Sequence, residues 1–252
     1  MKVSTGVITA VEKRKSVFAR GDSSGRKKIK VLGANVDRVF LVHSVLKPDL
    51  NLRLLDRMLV AAECDNIPPS ICINKTDLLE NEDLIIEKML PYDEMGYEVI
   101  YCSALEGRGI EKLRLSMTGA RSIMAGPSGA GKTSLIAALE PGLDMRIGVV
   151  SEKTGKGRHT TTHFEFHPLA GGGYLGDTPG IREFGIWGLS KQTLYTCFRD
   201  LSVYTSECRF SSCTHSHEPG CGVKEAVEEG IVSKERFESY LKILEELPER
   251  IP

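Results

Sequence analysis

Nowhere in its 252 residues does the chain hold a run of about 18 apolar residues, so the sequence offers no membrane-spanning helix. The opening MKVSTGVITAVEKRK lacks the apolar core of a secretory signal. Cysteines number only seven, an odd count, and Cys64, Cys72 and Cys102 sit in apolar stretches that read as core. That pattern argues against a disulfide framework and for a reducing, cytoplasmic setting. Net charge is also nearly absent, at −1, but its distribution is not even. Residues 1–30 carry nine Lys or Arg against two acidic residues, so the arm holds +7 and the rest −8. A basic arm on an acidic body points to a polyanion partner, with a solvated tail as the plain alternative.

What is present is ordinary globular composition, 41% hydrophobic and 27% charged. In the arm, Val7, Ile8 and Val11, then Ile29, Val31 and Leu32, have strand character around a Gly-Asp-Ser-Ser-Gly turn. From Val39 onward strands alternate with helices. RVFLVHSV, SICIN, YEVIYCSA and RSIMAG read as strands, and LRLLDRMLVAAEC, EDLIIEKML and IEKLRLSM as helices. The first helix places Leu52, Leu55, Leu59 and Ala62 on one face. Such alternation predicts an α/β fold, a mostly parallel sheet wrapped by helices, with ligands at the carboxyl ends of its strands.

GPSGAGKTS, residues 126–134, fits a P-loop between a strand and a helix. Gly126, Gly129 and Gly131, with Pro127, Ser128 and Ala130 between them, let backbone N–H groups turn around a phosphate. Lys132 reaches the β- and γ-phosphates, Thr133 ligates Mg²⁺, and Ser134 continues into a helix whose positive end faces the anion. NKTD at 74–77 then favours guanine. Asp77 can accept hydrogen bonds from guanine N1–H and its exocyclic amine, which adenine cannot supply. Asn74 braces this loop, the Lys75 stem lies over the base, and Thr76 completes the turn. Ser103 and Ala104 follow a strand and offer backbone amides to guanine O6.

Two further loops suit the γ-phosphate. Asp177 of DTPG holds Mg²⁺ through water and the Gly180 amide meets the phosphate. GKGRHTTT, 155–162, reads as a segment ordered by the metal and phosphate. One of Thr160, Thr161 and Thr162 supplies a second hydroxyl ligand, with Thr161 the candidate, although spacing leaves the choice open. FEFHPLAGGGYLGD reads as a hairpin leading into DTPG.

The order of these motifs is NKTD, SAL, GPSGAGKT, HTTT, DTPG, whereas conventional small GTPases begin with the P-loop. The domain is therefore read as circularly permuted, which close-lying termini make tolerable. With ANVDRVFLV, GRHTTT, DTPGIREFG and CRFSSCTHSHEPGC in this order, the sequence resembles the bacterial RsgA (YjeQ) family of ribosome-associated GTPases. The resemblance covers most of the chain. It implies an OB-fold, a permuted GTPase domain and a C-terminal zinc domain, here divided at 1–35, 36–188 and 189–252. It also implies GTP hydrolysis in late maturation of the small (30S) ribosomal subunit, stimulated by that subunit, with 16S rRNA contact and a monomeric protein. The segment before the GTPase domain, about 35 residues, is too short for a five-stranded OB barrel. Only a truncated, OB-like β segment is expected.

Cys208, Cys213, His215 and Cys221 give C-x4-C-x-H-x5-C, a donor set suited to tetrahedral structural Zn²⁺. His217 is an alternative to His215, and the family pattern favours His215. VKEAVEEG and SKERFESYLKILEEL read as amphipathic helices packing on this loop. Where Ras-type switches carry a water-orienting glutamine after DxxG, this chain has Ile181, which predicts slow intrinsic hydrolysis. His159 is the candidate water-positioning residue. Two other readings are a small-molecule P-loop kinase and a nucleic-acid-binding module that uses GTP structurally; the first has no need of NKTD, and the second would not turn GTP over.

Overall fold

The computed structural model describes residues 13–21, 29–143, 166–176, 186 and 188–249. In the basic arm, β1 (Val17–Gly21) pairs antiparallel with β2 (Ile29–Ala34) in a sheet of its own. The expected first strand at Val7–Val11 lies outside the described residues.

Strands and helices then alternate: β3 (Arg38–Ser44), α1 (Leu52–Cys64), β4 (Pro69–Asn74), α2 (Asp83–Glu94), β5 (Glu98–Tyr101), α3 (Ile110–Met117), β6 (Arg121–Ala125) and α4 (Lys132–Leu139). The hairpin β7 (Phe166–Pro168) and β8 (Tyr174–Gly176) completes a six-stranded sheet, ordered β5-β4-β3-β6-β8-β7. Every pair in it is parallel except β7 with β8.

Strand alternation builds two cores. On β3, Val39 and Leu41 face a cluster with Leu55, Leu59 and Ala62 of α1 and Met89 of α2. Phe40 and Val42 face the opposite cluster, with Leu113 and Met117 of α3 and Leu135 and Ile136 of α4. Because both faces are covered, the central strands read as unbroken apolar runs rather than alternating ones.

The C-terminal part holds α5 (Arg199–Ser202), α6 (Gly222–Glu228) and α7 (Lys234–Glu246) around a third cluster containing Leu194, Phe198, Val223, Tyr240 and Ile243. Helix α1 joins it to the sheet, because α1 is buried on two sides. Leu55, Leu59 and Ala62 face the sheet, while Asp56, Val60 and Cys64, at spacings of four, face the C-terminal cluster.

Asp56 is 1% exposed and Arg236 of α7 is 2% exposed. The Arg236 guanidinium donates to Asp56 at 2.5 Å and to both oxygens of Asp200 at 3.2 Å, while Tyr92 Oη donates to Asp56 at 2.8 Å. Every charge in this network is paired, as burial demands, and its uneven geometry fixes how α7 sits on α1.

Candidate nucleotide site and metal cluster

Three loops far apart in the sequence meet at the carboxyl end of the sheet. Strand β6 delivers 126–131, β4 delivers 74–77, and β5 leads to 103–104. Asn74, the last residue of β4, ties them together. Its Nδ2 donates to the Ala130 carbonyl at 3.0 Å, and its Oδ1 accepts from the Ala104 amide at 3.3 Å. At 1% exposure, the side chain has both polar ends satisfied by the loops it joins. Gly131 makes the close approach possible. Its φ is 90°, and a Cβ there would lie 2.2 Å from Asn74 Nδ2.

The loop 126–131 runs directly into α4, so it ends on a helix N-terminus, the positive end of the helix dipole. Lys132 Nζ spans it, donating to the carbonyls of Gly126 at 2.8 Å and Pro127 at 2.9 Å. Ser128, Gly129, Thr133 and Ser134 are exposed. This is an anion cradle with a lysine already turned inward.

The 74–77 loop is anchored on β5. Lys75 adopts a left-handed φ of 63° and its Nζ donates to the Lys47 carbonyl. The Thr76 amide and hydroxyl both donate to the Cys102 carbonyl, at 3.1 and 3.2 Å. Asp77 accepts from Ser103 Oγ at 2.6 Å, which leaves carboxylate lone pairs for a further donor. The Ser103 amide is bonded to the Arg108 carbonyl at 3.0 Å, so the two proposed O6 donors differ. Only the Ala104 amide, in its longer bond to Asn74, has a partner it can readily exchange.

His43 escaped sequence reading because it sits in an apolar strand. It is 1% exposed, and its Nε2 has no hydrogen-bond partner among the described residues. Burial, and then the charge of Lys132, pushes its pKa down to about 4 from an ordinary 6.5. A neutral imidazole therefore borders the P-loop lysine at pH 7. With the folded pKa depressed, the unfolded chain binds the extra proton below about pH 6.5, and stability falls as pH drops towards 4. Between pH 7 and 5 this group should cost about 2 kcal/mol. Urea melts should show that loss in the native protein and a correspondingly shallower one in His43→Leu; equal slopes would contradict it.

His159, Thr160, Thr161, Thr162, Asp177, Gly180 and Ile181 lie outside the described residues. Strand β8 ends at Gly176, beside Ile123 of the P-loop strand.

The second cluster lies in the C-terminal part. The donor atoms of Cys208, Cys213, His215 and Cys221 are all within 4.8 Å of one another. His215 Nδ1 is 3.4 Å from the Cys208 and Cys221 sulfurs, which are 3.8 Å apart. Two thiolates about 2.3 Å from one tetrahedral ion stand about 3.8 Å apart, so the donor set fits zinc. Burial pushes the Cys213 thiol up to about 12, an opposition to ionisation that a divalent cation would reverse. His217 is turned away and exchanges a hydrogen bond with Ser216 Oγ at 2.9 Å. Glu218, which no motif singles out, folds the loop. Burial raises its carboxyl, but bonds from the Thr214 amide and hydroxyl and the Ser216 amide outweigh this and lower it to about 2.

Taken together, the sheet and its loops define a P-loop nucleotide-binding protein whose 74–77 and 103–104 loops precede its 126–131 loop in the chain. The description of the matching family is "RsgA GTPase", covering residues 11–187, and the chain belongs to that family. "Small ribosomal subunit biogenesis GTPase RsgA" of Gemmatimonas aurantiaca is 44% identical over 245 residues, 96% of this chain and 79% of that protein. "Small ribosomal subunit biogenesis GTPase RsgA 1" of Vibrio parahaemolyticus is 42% identical, over 97% of this chain and 70% of its own length. Among solved structures, YjeQ from Thermotoga maritima superposes with a TM-score of 0.78 at 36% identity, covering 94% of this chain and 77% of the other. YloQ, described as a circularly permuted GTPase, gives 0.72 at 29% identity, covering 94% and 80%.

Proposed function

We propose that this protein hydrolyses GTP during biogenesis of the small ribosomal subunit, and that the subunit stimulates the reaction. The observation that carries the reading is the Asn74 brace, which holds the guanine-type loop against the P-loop across 56 residues of sequence. A kinase pocket for a small acceptor has no use for that junction. The Gemmatimonas and Vibrio relatives are both themselves named for small-subunit biogenesis.

In this reading Asp77 selects guanine, Ala104 meets O6 and the Lys75 stem covers the base. The 126–131 amides and Lys132 bind the phosphates and neutralise charge that builds between β and γ during cleavage. Thr133, Thr161 and Asp177 would hold Mg²⁺, which supplies charge neutralisation at the phosphates when bound. His159 would position the attacking water, and Gly180 would contact the γ-phosphate. Cys208, Cys213, His215 and Cys221 would hold a structural Zn²⁺ with all four positions filled by protein. The basic 1–35 segment would touch 16S rRNA, beside a GTPase unit at 36–188 and a zinc unit at 189–252, in a cytoplasmic monomer.

Ile181 in place of glutamine cannot orient the water, so intrinsic turnover is slow until a partner orders the switch segments around it. GTP turnover with purified small subunits should exceed turnover alone by more than about tenfold, with no such gain from large subunits. Equal rates in all three conditions would overturn the proposal.

A further inference from the structure

Two thiols outside both sites face each other where the sheet meets the C-terminal cluster. Cys64 ends α1, and Cys197 ends the single turn Leu194–Cys197. Their sulfurs are 2.8 Å apart although the residues are separated by 133 positions. A covalent S–S bond is about 2.05 Å long, so closing the gap needs only a small rotation of the two side chains.

Three features keep the pair in register. Arg199, two residues beyond Cys197, donates to Glu63, the neighbour of Cys64, at 2.7 Å. The same guanidinium reaches the Gly96 carbonyl at 3.2 Å and lies 4.1 Å over the Tyr97 ring. Thr196 Oγ1 stands 3.9 Å from the Cys197 sulfur. Cys197 is buried but Cys64 is only partly so, and small solutes reach the pair from the Cys64 side.

The molecule holds its own comparators. Cys72 and Cys102 stand 3.6 Å apart but are both fully buried. Cys208, Cys213 and Cys221 belong to the metal cluster. Of the described cysteines, only Cys64 and Cys197 form a close pair with one partly exposed member and no other role.

We propose that Cys64 and Cys197 form a reversible disulfide that locks the C-terminal cluster onto α1 under peroxide stress. The thiolate of one cysteine attacks a peroxide oxygen, the O–O bond breaks, and a sulfenic acid forms with release of water. The second thiol then attacks that sulfur, forming the S–S bond and releasing a second water. Two thiols are oxidised and one hydrogen peroxide is reduced. The hydrogen bond from the Cys64 thiol, ahead of that from Thr196, lowers the Cys197 pKa and so favours the thiolate needed for the first step.

The test is peptide mapping of the full, zinc-loaded chain after treatment with a stoichiometric amount of hydrogen peroxide, with zinc release followed by a chromogenic chelator. The expected result is a mass loss of about 2 Da, one cross-linked peptide pair joining Cys64 to Cys197, retained zinc, and reversal by dithiothreitol. Cys64→Ser, whose reduced-state melting temperature reports its folding, should give no such pair. If Cys64 and Cys197 both stay open to alkylation, or if oxidation instead joins the 208–221 thiols and expels zinc, the proposal fails. It is also overturned if Cys64→Ser, folded as judged by its melt, leaves the 2 Da loss intact.

Discussion

Asp77→Asn should weaken GDP binding by about 10³-fold and leave the fold intact. The carboxylate offers acceptors to both guanine N1–H and the exocyclic amine. The amide replaces one acceptor with a donor, which then faces another donor. A buried polar group left unpaired costs about 1–3 kcal/mol, and more when the partner is charged. Xanthosine diphosphate presents a carbonyl where guanine has its amine, so the variant should bind it better than the native protein does. That rescue separates lost recognition from lost folding, which matters because Asp77 also accepts from Ser103 at 2.6 Å. Fluorescent GDP and XDP analogues measure both effects. A variant that binds GDP as the native protein does, or fails to gain XDP affinity, would remove Asp77 from base recognition.

Cys213→Ser should abolish stoichiometric zinc and lower the melting temperature by about 10 °C or more. The cluster does structural work beyond its four donors. Tyr240 of α7 donates to the Thr214 carbonyl at 2.7 Å, and Tyr195 packs edge-on to His215 at 5.3 Å. Losing the ion would leave buried thiols and an imidazole without their common partner and release the loop on which α6 and α7 rest. His217→Ala, by contrast, should keep one zinc per chain, since His217 points away from the sulfurs. Metal analysis with differential scanning fluorimetry reads both variants. Full zinc in Cys213→Ser, or loss of zinc in His217→Ala, would reassign the ligands.

The helices and strands were legible because each carries its own period and each motif follows a strand. IEKLRLSM is α3 residue for residue, and RSIMA is β6. The cysteine and histidine spacing named the four donors that converge, though spacing alone did not exclude His217. What the sequence hid is the second buried side of α1. Nothing in the sequence sets Asp56 apart from the other charged residues of α1, or Arg236 from those of α7. Only their contact across 180 residues shows why both are buried. The Asn74 brace was hidden for a similar reason. Nothing in NKTD states that its asparagine will reach the P-loop carbonyl, because that bond depends on two strands separated by β3 in the sheet. His43 gave no signal, since a histidine in an apolar run looks the same whether it fills a core or borders a lysine.

If separate chain segments meet in one guanine-selecting site, as proposed, calorimetry with the unmodified protein tests that meeting most directly. GDP should bind with one-to-one stoichiometry and ADP at least about 10³-fold more weakly. Comparable affinities for the two nucleotides, or no heat with GDP, would contradict it.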